Sequence, residues 1–184
     1  MREIAIIRDE DIGLNPKNSG KVTTTREAVR AILLDSDGKI GMIEATTGNY
    51  YKLPGGGVDE GESHEQALRR ELIEEAGYEI EIKAELGYTI EYRCQWPKFP
   101  RSGLEQYSYC YVARAGTFVG AAPEEDEAAD GFELVWLELD EAIKRLANVI
   151  PHTSAGSDEY DMQFYTLRER LILEAYKQSI RSNS

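Results

Sequence analysis

A chain of 184 residues with 41% hydrophobic and 30% charged residues has the size and composition of one soluble globular domain spanning 1–184, rather than two. Its formal net charge of −13 repels a phosphate backbone, and its 21 Lys and Arg residues are scattered, which argues against duplex DNA or RNA as a partner. No apolar run approaches the roughly 18 residues of a membrane span, and "MREIAIIRDEDIG" turns acidic too early for a secretory signal, so the expected location is cytoplasmic. A small anionic substrate stays compatible with this charge when a bound cation reverses the local field. Cys94 and Cys110 have no metal-ligand spacing and read as reduced, packed thiols.

In chain order, "EIAIIR" (3–8) offers an edge strand and "DIGLNPKNSG" (11–20) has the composition of a loop. "REAVRAILLD" (26–35) and "KIGMIEA" (39–45) are β-rich runs joined by the polar turn "SDG" and predict a hairpin. "YYKL" (50–53) predicts a short strand ending at Pro54, which has no N–H for a ladder. Ser63 followed three residues later by Gln66 predicts a capped helix over about 64–76, with Gly77 at its end. "EIEIKAELGYTIEYR" (79–93), "QYSYCYVARA" (106–115) and "FELVWLEL" (132–139) alternate as strands do. "DEAIKRLANV" (140–149) predicts a short helix. A longer one is expected over 159–178, with Tyr160, Phe164, Leu167, Leu171 and Ala175 on its core face. Strands on both sides of the central helix, with further helices late in the chain, predict an α/β fold: a mixed β-sheet sandwiched between helices.

The stretch "GGGVDEGESHEQALRRELIEEAG" (55–77) concentrates acids beside a triple glycine. At about 100° per residue, Glu71, Glu74 and Glu75 share an arc of about 100°, while Leu68, Leu72 and Ala76 form an adjoining apolar stripe that can dock on the sheet. In a partly enclosed site, two carboxylates about 5 Å apart repel by roughly 3 kcal/mol, which a divalent cation would remove. Oxygen-only ligands suit Mg²⁺ or Mn²⁺, whereas zinc usually recruits His or Cys. Three acids on a helix face are by themselves usually a solvated face, and three glycines a turn. Together they place a backbone able to approach a phosphate or metal closely against a row of carboxylates.

Combined, these residues resemble the Nudix box, G-x5-E-x7-R-E-U-x-E-E-x-G-U, where U is a bulky aliphatic residue. The matching positions are Gly56, Glu62, Arg70, Glu71, Leu72, Glu74, Glu75 and Gly77; only Tyr78, at the last position, departs from it. The resemblance implies a Nudix-like α/β/α sandwich and divalent-metal-dependent hydrolysis of a nucleoside diphosphate linked to another moiety, X. It implies Glu71 and Glu75 as metal ligands, and Glu74 as a further ligand or as a base on water. The carbonyl of Gly55 or Gly56 would be another ligand. Arg70 would orient a catalytic glutamate, with Glu62 bracing it. In several family members a later glutamate completes the site; in the acidic run 123–132 the favoured residue is Glu127, then Glu124 or Glu125.

The loop "RCQWPKFPRSG" (93–103) interleaves aromatic and basic residues. Arg93 and Trp96 are its candidate substrate contacts, although a plain surface loop or a homodimer contact explains the composition equally well. The Pro and Tyr placements that mark ADP-ribose or dinucleoside-polyphosphate hydrolases in the family have no clean match here. The expected substrate is therefore a nucleoside triphosphate, ordinary or oxidised, cleaved to monophosphate and pyrophosphate. ADP-ribose, nucleotide sugars and dinucleoside polyphosphates are the alternatives. A non-catalytic ligand sensor is disfavoured, because it would be expected to have lost glutamates that this chain keeps.

Overall fold

The computed structural model describes residues 1–14, 22–46, 50–94, 103–122, 131–147 and 157–182. Its strands are β1 (Glu3–Arg8), β2 (Val22–Leu34), β3 (Ile40–Ala45), β4 (Tyr50–Lys52), β5 (Tyr78–Arg93), β6 (Gly103–Phe118) and β7 (Phe132–Leu137). They form one sheet in the order β1-β5-β6-β2-β3-β4, with β7 also on β3. The sheet is mixed: β1 runs parallel to β5 and β2 parallel to β6, while β5–β6, β2–β3, β3–β4 and β3–β7 are antiparallel. Strand β2 shows why both faces are covered. Val29, Ala31 and Leu33 belong to the core cluster of one face, Ile32 to that of the other, and all four are fully buried.

The first face is covered by helix α1 (His64–Glu71) and the π-helical turn Leu72–Ala76 that continues it. Ala67, Leu68, Leu72 and Ala76 pack on β2 and on Tyr111 and Ala113 of β6. The second face is covered by α2 (Leu139–Ala147) and α3 (Ser157–Ser182), through Ala142, Leu146, Ile172 and Leu173. Helix on sheet on helix is the sandwich expected from the order of elements. No helix among the described residues is long and apolar enough to cross a membrane.

The predicted hairpin forms, but β2 meets β3 only at Leu33↔Gly41 and Leu34↔Ile40. Farther back the edge of β2 is taken by the glycine segment. Ala31 N–H donates to the Pro54 carbonyl (3.0 Å), Val29 N–H to Gly56 (2.9 Å), and Val58 N–H to Glu27 (3.1 Å). Pro54 fits because only its carbonyl is needed. Chain that would otherwise be a free loop is thereby held in the plane of the sheet, alongside α1.

On α3 the expected stripe is only partly the buried one. Tyr160 and Phe164 are buried, but farther along the helix Arg168, Glu169, Ile172 and Leu173 turn inward. Arg168 reaches Glu91 of β5 at 3.0 Å and also pairs with Glu169; Glu91 in turn binds Arg93, which pairs with Asp161. Arg30 of β2 stands 3.5 Å from Glu169. Burial alone pushes the Glu91 carboxyl up, but the charges of Arg93 and Arg168 outweigh it and hold it below the ordinary range. Charges buried this way are tolerable only because they are paired.

Candidate active site

The site is built where the glycine segment meets the acidic helix. The helix starts on a reciprocal cap: Ser63 Oγ accepts from Gln66 N–H (3.3 Å) and Gln66 Oε1 from Ser63 N–H (2.9 Å). It ends at Gly77, with φ 75°, whose N–H donates to the Ile73 carbonyl. Just beyond β6, Ala122 N–H donates to the Glu74 carbonyl at 3.0 Å, so a neighbouring segment serves one of the helix's orphan acceptors. The two central glycines are sterically required. A Cβ on Gly56 would stand 2.3 Å from the Glu71 carboxylate, and one on Gly55 only 2.2 Å from the Val29 carbonyl.

Arg70 is the hub. Its Nε and Nη2 hold Glu62 as a fork at 3.1 and 3.0 Å, Nη2 also donates to the Gly57 carbonyl (3.0 Å), and Nη1 reaches Glu71 (2.8 Å) and Glu74 (3.0 Å). All five guanidinium N–H groups are committed, tying the loop to the helix. Glu62 is thereby held below the ordinary carboxylate range. Glu71, largely buried, has its carboxyl pushed up by desolvation against the opposing pull of Arg70. Glu75, 4% exposed, accepts Gly55 N–H on Oε2 (2.8 Å) and Lys52 Nζ on Oε1 (2.6 Å).

The chain has relatives among known proteins. The family model for the NUDIX domain matches residues 24–155, well over half of the chain. The chain belongs to the NUDIX family. A Bacillus subtilis (strain 168) protein, whose name ascribes 8-oxo-dGTP diphosphatase activity to it, is 38% identical over 68 residues, 37% of this chain and 42% of that one. The RNA pyrophosphohydrolase of Wolbachia pipientis subsp. Culex pipiens (strain wPip) is 43% identical over 61 residues, 33% of this chain and 38% of that one. The matched stretches thus span about two fifths of these relatives' length. The crystal structure of a MutT NUDIX hydrolase from Burkholderia pseudomallei has the same fold, with a TM-score of 0.50 and 23% identity over 83% of this chain and 98% of that one.

NUDIX hydrolases generally use divalent metals, and the donors here can be tested against that use. They are all oxygen, which suits a hard cation. The Glu71 carboxylate is desolvated and lies in a cradle that a Cβ at Gly56 would fill. The protein's own cations now share the work of neutralising the acids: Arg70 Nη1 lies between Glu71 and Glu74, and Lys52 lies on Glu75. Accordingly, no three acid, His or Cys groups among the described residues converge as a ready metal cage. The residue types fit a divalent ion, and Arg70 and Lys52 are the groups it would compete with. The π-helical turn contributes, because its wider winding moves Glu74 and Glu75 off the 100° lattice used to align them with Glu71.

The NUDIX box residues Gly56, Glu62, Arg70, Glu71, Glu74 and Glu75 are therefore brought together. Tyr78, the one departure from the motif, packs against Phe118 and Trp136 at the entry to β5, a structural position. Arg93 departs from expectation. It is 2% exposed, bound to Glu91 and Asp161, and stacked on Phe164 and Tyr165, so its charge is consumed beneath α3 instead of facing a substrate. Trp96, Glu124, Glu125 and Glu127 lie outside the described residues, although both flanks of the acidic run are anchored, at Ala122 on Glu74 and at Gly131 on Thr46. A cavity of about 330 Å³ between the 3₁₀ turn Asp9–Ile12, the end of α2 and α3, lined by Ile12, Leu146, Thr166 and Arg170, shares no residue with this site. Lys52 went unnoticed in the sequence because nothing there shows which carboxylate a lone strand lysine will meet.

Proposed function

We propose that this protein is a divalent-metal-dependent pyrophosphohydrolase that cleaves nucleoside diphosphates linked to X, with a nucleoside triphosphate, ordinary or oxidised, as its preferred substrate. The observation that carries this reading is the contact of the glycine segment with Glu71, locked by Arg70 and with Glu74 and Glu75 on the next turn. Glu71, Glu75, Glu74 and the carbonyl of Gly55 or Gly56 would hold the metal, which when bound neutralises the pyrophosphate and lowers the pKa of water. The protein's own contribution is positional. Arg70 fixes the carboxylates, the glycines leave room for a phosphate, and Glu74, where it is not itself a metal ligand, would take a proton from water attacking phosphorus in line. A P–O bond to that water forms as the P–O bond joining the monophosphate to the pyrophosphate breaks. Glu127 is the favoured further acid.

The reading is consistent with the names of the two relatives, one of an 8-oxo-dGTP diphosphatase and one of an RNA pyrophosphohydrolase. Replacing Glu74 by Gln keeps the side chain's size while removing its charge and basicity. Mg²⁺-dependent turnover of every active nucleotide is expected to fall at least about 100-fold; turnover that survives unchanged would overturn the assignment.

A further inference from the structure

Arg26 lies on β2, in register with Gln106 of β6 and two residues before the bridge that joins Ala28 to Gly57. Its side chain is exposed and its guanidinium lies over the glycine segment: a Cβ at Gly57 would stand 2.8 Å from Arg26 Nη2. The corresponding direction at Gly56 points at the Glu71 carboxylate, 2.3 Å from an added Cβ. Neighbouring Cβ directions in an extended segment point to opposite faces, so the two residues flank one short piece of backbone, with α-carbons about 3.8 Å apart.

No hydrogen bond or ion pair of the described residues involves Arg26, whereas its chain neighbour Glu27 and two acids of the site are engaged. Glu27 binds His64 at 2.9 Å, Glu62 binds Arg70, and Glu75 binds Lys52. In a chain with 34 acids and 21 basic residues, a guanidinium at the lip of a carboxylate site with no acid among the described residues within 4 Å is held in reserve for an anion from outside. We infer that Arg26 binds the outermost phosphate of a polyphosphate substrate and so favours nucleoside triphosphates over nucleotide sugars, whose X is uncharged. The inference rests on the carboxylate face of the same loop being the hydrolytic site. A substrate spanning the loop would place one phosphate at the glutamates and the next group at Arg26. A phosphate there makes a charge-assisted fork, and a sugar does not.

The test compares the unaltered protein with Arg26→Gln and Arg26→Lys, using steady-state kinetics on a nucleoside triphosphate and on UDP-glucose with Mg²⁺, and calorimetric binding of inorganic tripolyphosphate with Mg²⁺. Arg26→Gln is expected to raise KM for the triphosphate, and Kd for tripolyphosphate, about tenfold. kcat and the KM for UDP-glucose should stay within about twofold, and Arg26→Lys should recover part of the loss. An unchanged tripolyphosphate Kd in Arg26→Gln, or an equal rise in KM for both nucleotides, overturns the inference. If the unaltered protein turns over no nucleotide while tripolyphosphate binding still weakens tenfold in Arg26→Gln, the hydrolase reading falls and the Arg26 site stands.

Discussion

At the scale of single residues, the site depends on close approach. An added methyl at Gly56 would overlap the Glu71 carboxylate, so Gly56→Ala must displace either the loop or the glutamate. Its kcat/KM should fall about 100-fold, the cost of a displacement near 1 Å at a reacting centre, while circular dichroism shows the fold retained. Arg70→Lys keeps the charge but loses the fork to Glu62 and the contact with Gly57. Thermal or urea unfolding should show a loss of about 1–3 kcal/mol together with reduced turnover. Lys52→Met removes the ammonium that competes for Glu75, so the Mg²⁺ concentration for half-maximal activity should drop several-fold in a metal titration. The box acids were legible because their spacing is local and tied to one helix. Lys52, Arg26 and the true place of Arg93 were not: Lys52 meets Glu75 of the π-helical turn, Arg26 comes to lie over Gly57, and Arg93 is drawn to Asp161 of α3, and none of these meetings is signalled locally.

At the scale of elements, capping and strand periodicity were readable, while pairing and winding were not. The Ser63–Gln66 box and Gly77 bounded the helix correctly, but its last turn is π-helical, a departure that no local residue signals. The hairpin of β2 and β3 was expected; the replacement of β3 by the glycine segment along β2 was not, because a register is set by what the rest of the chain leaves unpaired. Helix α3 misled the apolar periodicity by burying Arg168 and Glu169, charges that become tolerable only against Glu91 and Arg30. This arrangement carries a pH dependence. Glu91 titrates lower in the folded protein than in the unfolded chain, so its contribution to stability is complete above the unfolded value of about 4.3 and is lost as pH falls through the lower, folded one. Denaturant unfolding should therefore show Glu91-dependent stability declining only below about pH 4.3. Glu91→Gln should remove that component and cost about 3–5 kcal/mol at neutral pH by leaving Arg93 and Arg168 without their shared partner.

At the scale of the whole molecule, a net charge of −13 and the proposed nucleotide substrate are reconciled by where the acids sit. Some are exposed and solvated, such as Glu60 and Glu65; others are spent inside, on α3. Glu71, Glu74 and Glu75 lie by the glycine segment, where Arg70 and Lys52 balance them. The sandwich holds that segment by strand-like hydrogen bonds to β2 on one edge and by α1 above it, so the site is rigid on the protein's side. Residues 24–155 belong to the NUDIX family by the model match, and the mixed sheet between helices is the fold shared with its MutT member from Burkholderia pseudomallei. The most direct test of the proposed hydrolase is product analysis with a panel of nucleoside triphosphates, ADP-ribose, nucleotide sugars and dinucleoside polyphosphates, with and without Mg²⁺, for the unaltered protein and Glu75→Gln. The predicted result is Mg²⁺-dependent release of nucleoside monophosphate and pyrophosphate from a triphosphate, abolished by EDTA and by Glu75→Gln. Hydrolysis that persists without a divalent ion or in Glu75→Gln, or no turnover of any anhydride by the unaltered protein, would contradict it.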